Sequence, residues 1–345
     1  MDLNMKKLLL ALIYLLVVGS PLFAQKKAAD YMNTIGKEFK EITNDMWAYT
    51  SSAAHGKPAI KVESKRKELL KQISASMNKI KKMDEFEGDT RFRDSTLAFL
   101  QLNFDVLNED YARIIELQAL SQDSYDAMEN YMKAQDLIDE KLDKAGKMIG
   151  DEEQKFASDY GIKLSDKKSK TAVKIDAAAR VYKYYNPIYL IFFKSFKDES
   201  YLIDAQNKAD LEMMDKCQAW LSETSTQGLE ELKTIKDFDG DNTLKTSCMD
   251  LLKFYQLESG KRFLENKGFF IKKDKFNKAK EVYDSKSEET LTKPEISAYK
   301  KATNDYNNAL TKYNVNNQIL SDQRKRLIDA WNKVLLDFIN KHIPK

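Results

Sequence analysis

The sequence predicts an all-α protein built as tandem antiparallel helix bundles with long helices. Three observations predict this. Breakers are scarce, with 11 glycines and 5 prolines in 345 residues, and chains so poor in them favour helices. Apolar residues recur at steps of three and four over long windows. No useful stretch alternates with the period of two that a strand requires.

The first element has the layout of a secretory signal. Lys6 and Lys7 precede an apolar run, Leu8 to Val18, which ends at Gly19-Ser20-Pro21. Leu22-Phe23-Ala24 before Gln25 then forms a small-residue cleavage site. The run falls short of the roughly 20 residues of a membrane-spanning helix. Residues 1–24 are therefore read as a signal peptide. The mature chain is expected to be exported, periplasmic or on the cell surface, with no transmembrane span after cleavage. No cysteine lies near the site, which excludes a lipid-modified N-terminal cysteine.

The first mature helix, Ala28 to Ala53, carries Ile35, Phe39, Ile42 and Met46 on one stripe. His55-Gly56-Lys57-Pro58 breaks it, and Pro58 suits the first turn of a second helix running to about Met83. Leu69, Ile73, Met77 and Ile80 point inward there. Asp84 to Thr90 is a polar turn. The third helix presents Leu97, Leu100, Phe104, Leu107, Tyr111 and Ile114 on one side. A fourth segment continues through Met128, Met132, Leu142, Ile149 and Phe156, with a bend or straight run near Ser121 both open.

Polar residues 161–170 mark a domain boundary, giving an N-terminal bundle over 25–165 and a C-terminal one over 166–345. The fifth helix, about Thr171 to Gln206, holds the most apolar tract of the mature chain, Val181 to Phe196. Pro187 inside it predicts a kink or a restart capped by Asn186. A sixth helix ends near Ile235, and a seventh covers Leu244 to Glu265. Residues 269–291 read as an insertion with a weak helix around Phe276 to Tyr283. Pro294 opens a long last helix with Tyr306, Tyr313, Leu320, Trp331, Leu335 and Phe338 inward.

The two halves also resemble each other. Glu85-Phe86-Glu87-Gly88-Asp89 matches Asp237-Phe238-Asp239-Gly240-Asp241 at an offset of 152. Phe39-Lys40 through Trp47 resembles Phe193-Lys194 through Tyr201 at an offset of 154. Helical periodicity alone does not produce the turn pentapeptide, so an internal duplication is expected.

Composition narrows the function. The net charge is +3, and loss of Asp2, Lys6 and Lys7 with the signal changes it by one unit. That balance points to neither nucleic acid nor an anionic membrane as partner. Two histidines in the whole chain cannot supply paired Glu-x-x-His motifs or a zinc set. No phosphate loop, nucleophile elbow or nucleotide fingerprint occurs. No catalytic residue, and no cofactor, is expected.

Four features compete as sites. Asp237, Asp239 and Asp241 alternate as in a calcium loop, but Asn242 and Cys248 stand where that loop needs Gly and Glu. They are weak metal candidates, better read as a turn whose last Asp caps the next helix. Cys217 and Cys248 lie on apolar stripes, and straight antiparallel helices would offset them by roughly 20 Å, so a disulfide is not expected. The Asn-rich face of the last helix is either a polar outer surface or a seam for another chain. The aromatic helix around Tyr185, Tyr189, Phe192 and Phe193 is either a buried core helix or a binding groove. It is the weak binding candidate.

Several stretches carry a resemblance. They include Asn44-Asp45-Met46-Trp47-Ala48-Tyr49-Thr50, Ala54-His55-Gly56-Lys57 and Ser124-Tyr125-Asp126-Ala127-Met128-Glu129. Gly88-Asp89-Thr90 with Arg93-Asp94-Ser95, Tyr185-Asn186-Pro187-Ile188-Tyr189-Leu190-Ile191-Phe192-Phe193-Lys194, Trp331-Asn332 and Lys341-His342-Ile343-Pro344 complete the set. Together they resemble an uncharacterised surface-protein family of spirochaetes and Bacteroidetes over nearly the whole mature chain. The resemblance implies export and allows surface exposure, and it transfers no catalytic residue. The sequence thus predicts a non-catalytic binding or scaffolding protein of a bacterial envelope. Its expected partner is an unknown envelope protein or a small ligand. The alternatives are a self-associating spacer that forms homo-oligomers and, last, an envelope metal binder or enzyme.

Overall fold

The structure is a computed structural model that describes residues 23–110, 117, 120–165 and 168–344. Most of the expected signal segment, and Tyr111 and Ile114 of the third helix, lie outside them. The described elements are α1 (Phe23–Ala54), α2 (Ala59–Lys81), α3 (Arg91–Asp105), α4 (Tyr125–Asp159), α5 (Lys170–Asn207), α6 (Leu211–Thr234), α7 (Thr243–Leu257), α8 (Phe263–Asp284) and α9 (Lys293–His342). A π-helical turn extends α3 over Val106–Asp110 and another extends α7 over Glu258–Arg262. The protein is an all-α helical bundle.

Three local expectations are settled by backbone chemistry. Ser124 caps α4, its hydroxyl accepting from Ala127 N at 3.1 Å, so the chain turns after Ser121 rather than running on. α5 continues through Pro187 and does not restart there. The segment expected to be a weak helix in an insertion is a continuous 22-residue α8. Its aromatic side chains pair with those of α9 and hold it (Phe276–Tyr306 at 4.8 Å, Tyr283–Tyr299 at 4.4 Å).

The turns that repeat in sequence repeat in detail. Phe86 and Asp89 exchange backbone hydrogen bonds at 3.1 and 2.8 Å, and Phe238 and Asp241 do so at 3.0 and 2.8 Å. Between them Glu87 and Gly88 have φ of 52° and 83°, and Asp239 and Gly240 have 49° and 84°. Positive φ at both central residues is the type I′ turn, which explains the Gly at its second position. Arg93 donates to Met83 O and Lys245 to Ile235 O, each at 2.9 Å, satisfying carbonyls left free at the end of the preceding helix. α3 with its π turn returns as α7 with its π turn, displaced by 152 at both ends. The same displacement relates the starts of α2 and α6.

The chain divides into two compact units, one of residues 1–186 with 337–345, the other of residues 187–336. The division therefore falls inside α5 and not near residue 165, because the helix is continuous there and its two parts pack in different units. In the first unit Ile35, Phe39, Ile42 and Met46 of α1 are buried with Leu69, Ile73 and Ile80 of α2, as their stripes predict. Phe92, Phe99, Ile149 and Phe156 complete that core. His55 sits 3.0 Å from Asn340 Oδ1 and 3.2 Å from Pro344 O, drawing residues 337–344 onto the first helix break.

The second unit buries Leu202, Met214, Leu221, Leu232, Leu251, Leu252 and Trp331. Its packing leaves no room for a side chain at Gly228, where a Cβ would lie 2.7 Å from Ile191 Cγ2 and 3.0 Å from Leu252 Cδ1. Overpacking of this kind costs about 1–3 kcal/mol. Gly228→Ala is accordingly expected to lower the urea midpoint. A midpoint at or above wild type would show that this contact relaxes freely.

Candidate functional site

The aromatic helix is core. Tyr185, Phe192 and Phe193 are buried, and only Tyr189 is half-exposed. Phe192 packs on Trp331 at 5.0 Å and Tyr189 stacks on Phe193 at 5.8 Å. A helix apolar on most sides has no free face from which to form a groove, so the binding site expected there is withdrawn. The acidic turn also disperses. Asp237 pairs with Lys245 at 2.5 Å. Asp241 is buried and accepts from Thr243 N and Oγ1 at 3.0 and 2.7 Å. Asp239 stands between them at the positive-φ position of the turn. No cluster of three metal-ligating side chains exists among the described residues. Cys217 and Cys248 are buried free thiols, and burial pushes both thiols up, away from reactive thiolate.

The polar chemistry of the second unit gathers instead around the π turn after α7. Pi turns widen a helix by one residue and often mark functional sites. This one contains Gly260 at φ −90°, ψ −112°, outside helical geometry. Just before that kink, Glu258 is buried at 3% exposure, where the first unit has the buried Val106 152 positions earlier. Arg324 of α9 joins Glu258 to Glu199 of α5. Its Nη2 donates to Glu258 Oε1 at 2.6 Å and its Nε donates to Glu199 Oε1. Burial, then the neighbouring Glu199, pushes the Glu258 carboxyl up to about 9 against the pull of Arg324. At neutral pH Glu258 thus holds its proton.

Beyond this triad, α8 and α9 enclose a groove of about 700 Å³. At its inner end Arg262, Glu265 and Asn316 close a triangle: Arg262 Nη1 donates to Asn316 Oδ1 at 2.6 Å, and Asn316 Nδ2 to Glu265 Oε2 at 2.9 Å. Arg262 also reaches Glu265 Oε2 at 3.1 Å. Hydrogen bonding from Asn316, then Arg262, holds the Glu265 carboxyl below its ordinary value. Farther out Lys272 donates to Asp305 at 2.9 Å, which lowers the Asp305 carboxyl in the same way. Gly268 and Ala309 line the groove beside Phe269, and Leu264 and Val315 line it while 68% and 55% exposed. This arrangement can seat apolar side chains among charges of both signs. It brings no nucleophile next to a base.

Of these groove residues, Asn316 lies in the Asn-rich face of the last helix that the sequence singled out, and the others did not stand out. The available signal was Glu258-Ser259-Gly260, a polar triplet with a helix breaker inside an apolar stripe. No protein-family model, curated protein or solved structure matches the chain. No described helix is long and apolar enough to cross a membrane.

Proposed function

We propose that this chain is an exported, non-catalytic binding or scaffolding protein that engages its partner through the groove between α8 and α9. The observation that carries this reading is the exposure of Leu264 and Val315 at the groove. Apolar side chains grouped in a concave surface mark interaction sites more often than scattered ones do. Export is supported by the basic residues, apolar run and small-residue site at the N-terminus. Gln25, the first residue after that site, already anchors α1 by donating to Gly161 O. A structural spacer is the second reading, favoured by the 50 residues of α9, a length of about 75 Å at 1.5 Å per residue.

A photoreactive residue placed at Val315, with a control at the exposed Lys147, tests the binding role in cells. A crosslink formed at Val315 and absent at Lys147 is the expected result, on mature chains whose N-terminal sequencing begins at Gln25. Equal capture at both positions, or none at either, would remove the groove as a contact surface.

A further inference from the structure

We infer that the α8–α9 hairpin is half of a helical bundle, completed by the same hairpin of a second copy of this chain. This rests on the reading of the groove as a contact surface and names its occupant. Beyond Phe270 no residue of α8 is buried, and in α9 none is buried before Asn316. Yet this stretch carries a ladder of rings, Phe276 on Tyr306 and Tyr283 on Tyr299, that continues inward to Phe269 on Tyr313 at 4.4 Å. Two helices alone hold such rings together without hiding them from water. Two such pairs laid face to face form a four-helix bundle with a core.

The groove also suits a copy of itself. Arg262, Lys272 and Lys312 face Glu265 and Asp305, so both signs are present in near balance and like chains do not repel. A twofold axis sets each residue type against another part of the same surface, which requires a face of this mixed kind. The size fits as well. The 22 residues of α8 span about 33 Å, and two helices are about 20 Å wide. One face then offers about 650 Å² per copy, and two copies bury about 1,300 Å², within the range of stable interfaces. A Cβ at Gly268 would meet nothing within 4 Å. That open floor admits an apolar knob such as Leu264 or Val315 of a second copy.

Sedimentation velocity and light scattering on the full mature chain test the inference. The expected result is a dimer that dissociates on dilution. Val315→Lys and Gly268→Leu are expected to weaken association roughly tenfold or more, as loss of a central contact does. Their helical content should match wild type and their melting temperature should not fall below that of wild type diluted to the monomer, because a Cβ at Gly268 meets nothing within 4 Å and Val315 is exposed in the single chain. A monomer at every concentration would overturn the self-pairing, as would a dimer that both variants leave unchanged. The wider reading survives such a result if Val315 still crosslinks specifically to a different protein in cells, and falls with it if Val315 captures nothing.

Discussion

Arg324→Ala is expected to destabilise the second unit by about 3–5 kcal/mol, because it leaves two buried glutamates without their shared cation. Glu199 and Glu258 side chains are 2% and 4% exposed, so water cannot replace the guanidinium. Removing all three polar side chains together should behave differently. In Glu199→Leu/Glu258→Val/Arg324→Met the desolvation penalty disappears with the ions, and such replacements are often neutral or stabilising. Urea denaturation of both variants at pH 7 reads the contrast. If the single and triple variants lose equal stability, the triad is not acting as a coupled ionic unit. The valine comes from the protein itself, since Val106 occupies the corresponding place in the first unit.

Stability is expected to fall as pH rises from about 4.5 to 9. Glu153 on α4 is 3% exposed, and its Oε1 has no hydrogen-bond partner among the described residues. Burial pushes its carboxyl from 4.5 up to about 8. The unfolded chain releases this proton near 4.5 while the folded chain keeps it. Between those values the folded state binds more protons, so unfolding becomes easier with each unit of pH, by at most about 5 kcal/mol in total. Glu258 acts in the same direction up to about 9. Glu295 acts oppositely. Lys286 holds its carboxyl down at about 2, a contribution lost as pH falls below 4.5. The stability maximum therefore lies in mild acid.

Glu153→Leu should flatten the upper part of this profile and raise stability by about 2–4 kcal/mol at pH 8, with little effect at pH 4.5. The substitution has an internal precedent. The buried run Ile149, Glu153, Phe156 and Ala157 of α4 returns in α9 as Trp331, Leu335, Phe338 and Ile339. Thermal melts across pH check it, and an unaltered slope in the variant would show that Glu153 is not the titrating group.

Much of the fold was legible because its signals are local. The stripes of α1 and α2 follow from 3.6-residue periodicity. The repeated turn follows from a glycine that both copies need at positive φ. The continuity of α8 was not legible, since its rings pair with residues of α9 rather than on an amphipathic stripe of their own. Aromatic density around Tyr185 and Phe192 marked burial, and density alone does not distinguish a core from a groove. The triad was hidden for a different reason. Glu199, Glu258 and Arg324 are ordinary charges in a chain rich in them, and only the π turn and the return of α9 bring them together.

The tail that packs beside His55 sets an order of events in the life of the chain. Residues 337–344 are made after the whole of the second unit, yet they pack with helices made before it. The first unit lacks the contacts of His55 with Asn340 and Pro344 until α9 has been made, however early its own helices form. That unit gains its full complement of contacts only once the second unit, made in between, has been synthesised.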